Sequence, residues 1–155
     1  MKLIKSITWE EVYKNWKESE KNYWQKHFTR EGYKNWDEFR KPQIEKLKNK
    51  EWELYELDYS DIETLECGNF KHWNVLAEQK GTRLLKELAF AEHFQNHPKI
   101  EAIKKNFPKE ITLISTEKAL IEGHHRIVAL FQLIKAKESP KVKIFLQLES
   151  PKTLE

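Results

Sequence analysis

The chain is poor in residues that cross-link, break or loosen a backbone. A single cysteine, Cys67, among 155 residues excludes a disulfide framework and a zinc site built from several thiolates, and it fits a reducing compartment. Four Gly and five Pro leave little material for flexible linkers. Net charge is also nearly absent: 28 Lys and Arg stand against 25 Asp and Glu, a formal +3. The basic residues are spread along the chain, so charge alone points to no nucleic-acid partner. The longest uncharged apolar stretch, residues 127–134, falls far short of the ~18 residues of a membrane span. Met1-Lys2-Leu3-Ile4-Lys5 runs into polar Ser6 and a charged segment, without the apolar core of a signal peptide. No Gly-x4-Gly-Lys-Ser/Thr occurs, which excludes a P-loop kinase. A cytoplasmic protein with no membrane partner is expected.

Aromatic residues are abundant. Six Trp, five Tyr and eight Phe supply enough large side chains to build a core in a chain that is otherwise 34% charged. The first fifty residues read as helical. Thr8 and Glu11 have capping-box spacing, and Trp9, Val12, Tyr13, Trp16, Tyr23, Trp24, His27 and Phe28 follow at helical intervals. Gly32 interrupts the pattern, and a second helix is expected from about Asn35, with Pro42 inside it. Strands are expected at 52–59, 111–115, 118–122 and 142–148. A helical turn is expected at 60–65, a loop at 66–69, and helices at 72–79, 82–95, from Pro98 to Pro108, and at 127–137. Strands mixed with helices give an α+β domain over 51–150, preceded by an aromatic-rich helical extension over 1–50 and followed by a disordered tail at 151–155.

The most informative stretch is Leu120-Ile121-Glu122-Gly123-His124-His125-Arg126-Ile127-Val128. A strand ends in Glu-Gly, two His and an Arg follow, and an apolar helix begins. Gly123 permits a sharp turn and a close backbone approach to a ligand. The first N–H groups of the helix lack internal partners and carry the positive end of its dipole. Cationic and imidazole donors at that same end suit phosphate oxygens. The competing reading is structural: an acidic neighbour such as Glu122 or Glu117 balances the basic residues. The spacing leaves both open.

The segment resembles the signature of the ParB/sulfiredoxin-like superfamily, in which a strand leads through a Gly-x-His-Arg-type turn into a helix. The resemblance is carried by Gly123-His124-His125-Arg126 and by the surrounding order of strands and helices, and it covers about residues 52–149. It implies a mixed sheet with helices and a nucleotide phosphate held at Gly123, His124, His125 and Arg126. Sulfiredoxins carry a catalytic Cys where this chain has His124, so sulfinic-acid reduction is not expected. Partition proteins carry a Gly-Glu-Arg-Arg-type turn and an appended DNA-reading domain, for which residues up to 155 leave no room. The Gly-His-His-Arg turn is closer to the free-serine kinases of the superfamily. That likeness implies ATP or ADP with Mg2+, transfer of phosphate to a small hydroxyl-bearing metabolite such as serine, Glu66 as the base on the hydroxyl, and His125 beside the phosphate. Asn69 and His72 are the candidate substrate contacts. The alternative is a nucleic-acid-associated module, ParB-like in DNA binding or nuclease activity, using the same turn on backbone phosphates.

Other residues receive plainer readings. His93 and His97 have metal-compatible spacing but no evident third ligand, and they read as surface residues at a helix end. Cys67 reads as a packed or loop cysteine. Thr82 and Arg83 start another helix, and capping by Thr82 explains them as well as ligand contact does. The N-terminal aromatics read as packing rather than as a single-strand stacking platform.

Overall fold

The structure, a computed structural model, describes residues 1–21, 25–117, 119–133 and 141–148. The Tyr23 and Trp24 positions of the first helical pattern, Lys118, the end of the helix expected to reach residue 137, and the tail at 151–155 lie outside the described residues.

Five strands form one mixed sheet. They are β1 (Lys2–Ile7), β2 (Glu51–Leu57), β3 (Glu110–Thr116), β4 (Leu120–Glu122) and β5 (Lys141–Leu148), in the spatial order β1-β2-β5-β3-β4. β1 with β2, β2 with β5 and β3 with β4 are antiparallel, while β3 with β5 is parallel. The expected α+β class is therefore observed, with four strands near their predicted places. β1 is a correction to the wholly helical reading of the first fifty residues. Its Lys-Leu-Ile-Lys-Ser-Ile does not alternate cleanly, its register slips between Leu3 and Lys5, and only Ile7 escapes full exposure. An exposed edge strand of this kind leaves almost no period-2 signal.

The two faces of the sheet carry separate cores. On one, Leu57, Ile111, Leu113 and Ile144 pack against α4 (Tyr59–Ile62), α5 (Lys71–Lys80), α6 (Leu85–Leu88), α7 (Pro98–Lys105) and α8 (His124–Leu133). On the other, Trp52, Leu54, Ile114 and Phe145 meet α1 (Trp9–Glu20), α2 (Gln25–Arg30) and α3 (Trp36–Leu47). The alternation of Leu113 and Ile114, both fully buried, is the sheet's period-2 rule expressed with helices on both faces. The aromatics of the N-terminal helices are packing residues: Trp16 and Trp36 meet edge-to-face at 5.2 Å. Thr8 and Asn35 cap α1 and α3 by accepting from the Glu11 and Glu38 amides. The expected continuous helix at 82–95 is instead α6 followed by a 3-10 turn, Glu92–Phe94, and Gln132 Nε2 donates to the Ala89 and Phe94 carbonyls that this break leaves open.

Candidate functional site

The turn between β4 and α8 is built by two glycines. Gly123 has φ +111°, and a Cβ there would run into Leu113 Cδ2. The chain turns at once into α8, whose first internal bond runs from the Ile127 amide to the Gly123 carbonyl at 3.1 Å. The amides of residues 124–126 precede that bond and form the donor end of the helix. Gly68 lies against the same strand: a Cβ there would overlap the Leu120 carbonyl oxygen, and its amide donates to His124 Nε2 at 2.8 Å. Arg83 straps this loop in place by donating to the carbonyls of Cys67 (3.2 Å) and Gly68 (2.9 Å) and to Asn74 Oδ1 (3.0 Å). Arg83 is thus an organiser of the loop, and Cys67 is fully buried with its thiol pushed up by burial.

A cavity of about 660 Å³ opens on the turn. Gly123, His124, His125 and Arg126 form one wall, and His72, Trp73, Phe94, His97 and Lys99 come from α5, the 3-10 turn and α7. The opposite wall comes from the N-terminal helices through Ser19, Glu20, His27, Phe39 and Arg40. Trp73 is buried and stacks with Phe94 at 5.2 Å and with His124 at 4.7 Å.

Charge is distributed unevenly inside. Arg40 holds Glu20 through two bonds, Nε to Oε1 at 2.9 Å and a terminal nitrogen to Oε2 at 3.0 Å. Arg126 holds Glu122, four residues back at the end of β4. Burial raises the Glu122 carboxyl above its ordinary range, with Arg126 opposing. Lys99 is the third cation, pushed down to about 8 by burial against the pull of Glu20 and Glu122. The imidazoles are neutral: burial pushes His124 down to about 3 and His125 to about 2, with Arg40 acting further on the first and Lys99 on the second. His97 is lowered by burial and by His93.

The structure brings together Gly123, His124, His125, Arg126 and His72. It leaves Glu66 and Asn69 elsewhere. Glu66 lines a second cavity of about 590 Å³ with Glu53, Ser115 and Glu117, and its carbonyl accepts from the Leu120 amide at 3.2 Å. Asn69 is exposed and accepts from Asn74 Nδ2 at 2.7 Å. The Arg126–Glu122 pair is the structural network that competed with phosphate binding, and it coexists with the cavity. His93 and His97, read as surface residues, line the cavity as well. Glu20, Arg40 and Lys99 carry no sequence signal for this site: Arg40 and Glu20 meet from 20 residues apart, and no local pattern marks them. Among the described residues no three His, Cys, Asp or Glu side chains are grouped to hold a metal ion, and no helix is long and apolar enough to cross a membrane. No protein-family model matches the chain, and neither a curated protein nor a solved structure matches it.

Proposed function

We propose that the cavity binds a nucleotide, ATP or ADP, with phosphate at the Gly123–Arg126 turn, and that the protein is a ParB/sulfiredoxin-like phosphotransferase acting on a small hydroxyl-bearing metabolite. The observation carrying this reading is that the donor end of α8 opens into a cavity holding three cations, Arg40, Lys99 and Arg126, against two carboxylates, Glu20 and Glu122. The excess positive charge and the free amides favour an anion. The concave, aromatic-lined shape supports a small ligand over the backbone of a nucleic acid, which needs an open basic surface.

Phosphoryl transfer needs charge stabilisation, alignment and a group to accept the hydroxyl proton. The α8 amides and Arg126 would supply the first, and Arg40 and Lys99, which also line the cavity, the second. Glu66, outside this cavity, is poorly placed for the third. Glu122 lies inside, and burial raises its carboxyl above the ordinary carboxylate range, which makes it a stronger base than a solvated carboxylate. Magnesium would enter on the phosphates of the nucleotide rather than on a cage of the protein's own.

Thermal denaturation with ATP, ADP, AMP and pyrophosphate, each with and without magnesium, tests the reading. A nucleotide at 100 times its Kd stabilises by about 2.7 kcal/mol. Arg126→Ala should abolish that shift. A shift that persists unchanged in Arg126→Ala places the ligand elsewhere, and retained phosphotransfer in Glu122→Gln removes Glu122 as the base.

A further inference from the structure

Two cavity imidazoles have one ring nitrogen occupied by a backbone amide. The Gly68 N–H donates to His124 Nε2 at 2.8 Å, and the Lys99 N–H donates to His97 Nδ1 at 3.2 Å. A nitrogen that accepts from an amide carries no proton, so a neutral ring must carry its proton on the other nitrogen. His124 is therefore held as the Nδ1–H tautomer. The ring is only 6% exposed, is stacked on Trp73 and meets Phe70 edge-on at 5.7 Å, which leaves it no freedom to flip. Among the described residues nothing accepts from Nδ1. Nδ1 is bonded to Cγ and is the ring nitrogen nearer the backbone, and His124 is one of the residues lining the cavity.

We propose that His124 is a specificity residue of this cavity: a neutral Nδ1–H donor, oriented by the Gly68 amide, that bonds an oxygen of the ligand's anionic group and selects groups whose oxygens carry no hydrogen. The inference rests on the nucleotide reading and deepens it by naming the chemistry that the site accepts. A fully deprotonated phosphoryl group offers only acceptors to the α8 amides, to Nδ1–H and to Arg126, and each donor is satisfied. A group that brings its own hydrogen confronts a donor with a donor in a buried site, where an unmade bond is costly. The arrangement also explains why Gly68 stands where a Cβ would meet the Leu120 carbonyl. The loop must press against β4 for its amide to reach the ring.

The two amide side chains separate the functions of the two ring nitrogens. Asn places its amide near the position of Nδ1, and Gln extends to that of Nε2. ADP binding by calorimetry is measured on wild type, His124→Asn and His124→Gln, alongside imidazole 15N spectra of the ligand-free protein. The expected result is an Nδ1-protonated tautomer for His124, about tenfold weaker ADP binding in His124→Gln, and binding within about threefold of wild type in His124→Asn. An Nε2-protonated His124, or His124→Gln binding as tightly as wild type, overturns the inference while nucleotide binding stands. Wild type that binds no ADP overturns both. Where His124→Asn is too unstable to assay, the tautomer spectrum and His124→Gln decide the matter.

Discussion

Glu20 and Arg40, at the end of α1 and within α3, form a two-pronged ion pair at 2.9 and 3.0 Å, with only 6% and 11% of their side chains exposed. Trp36 Nε1 donates to the same Glu20 oxygen at 2.9 Å. One carboxylate thus satisfies a guanidinium and an indole that would otherwise be buried without partners, and it does so on the wall of the cavity. Glu20→Ala should cost about 3–5 kcal/mol, because breaking a buried pair strands the remaining charge. Glu20→Gln should lose less, since its carbonyl oxygen still accepts from one donor. Urea denaturation measures both. Equal stability of Glu20→Ala and wild type would show that the pair is not closed in solution.

The glycines make a graded series. Gly81 has φ +69° but open space around its Cβ position, so Gly81→Ala should cost only the left-handed strain, about 1 kcal/mol. Gly123→Ala adds a clash with Leu113 to its positive φ, and about 2–4 kcal/mol is expected from strain and overpacking. Gly68→Ala meets a backbone carbonyl, which cannot step aside, and it should also pull the amide from His124. The expected order of loss is Gly81, then Gly123, then Gly68. A Gly68→Ala protein as stable as Gly81→Ala contradicts the close packing of the loop on β4.

Much of this framework was legible in the sequence, for identifiable reasons. Ile111-Thr112-Leu113-Ile114-Ser115 and Val142-Lys143-Ile144-Phe145-Leu146 are β-branched or apolar runs bounded by breakers, and both are strands where expected. A strand–Gly–helix junction is expected from one glycine between an apolar strand and an apolar helix, but α8 begins at His124 rather than at the expected residue 127, so the two imidazoles and Arg126 form its first turn. What stayed hidden depends on tertiary contact. The N-terminal helices were legible as helices, yet nothing local said that Phe39 and Arg40 would wall the same cavity as Arg126. Glu66 shows the same limit: its backbone bonds β4 at the Leu120 amide while the residue lines the second cavity, and which cavity a loop residue lines is not encoded in spacing.

Lys99 provides a pH test of the cavity's charge. Its ammonium is held down to about 8, chiefly by burial, so it is cationic near neutral pH and loses charge as pH rises through that value. ADP affinity should therefore weaken between about pH 7 and 9, by up to about tenfold if one ion pair is lost. Lys99→Arg keeps its charge throughout and should flatten the profile. Calorimetric titrations at several pH values check this. An identical decline in Lys99→Arg would assign the effect to another group.

The buried imidazoles set the acid limit of the fold. His124 and His125 have folded values of about 3 and 2 against 6.5 for an exposed ring. A lowered histidine value means that the unfolded chain binds the proton more readily, so their stabilising contribution is complete above 6.5 and is lost as pH falls below it. Between pH 6.5 and about 5.5 the pair should remove about 2 kcal/mol of stability, and the loss should continue toward the folded values. His97, also lowered by burial, acts in the same direction. Glu122 acts oppositely: its raised carboxyl takes up a proton in the folded protein first and regains stability as pH falls through its folded value. The comparison that isolates the imidazoles is His125→Phe against wild type. The substituted ring keeps the contacts to Trp73 and Phe94 but cannot titrate, so its acid loss should be about half as steep. Matching slopes for the two proteins in urea denaturation from pH 7 to 5 would mean that His125 is open to water and charged, and the cavity wall would then have to be drawn differently.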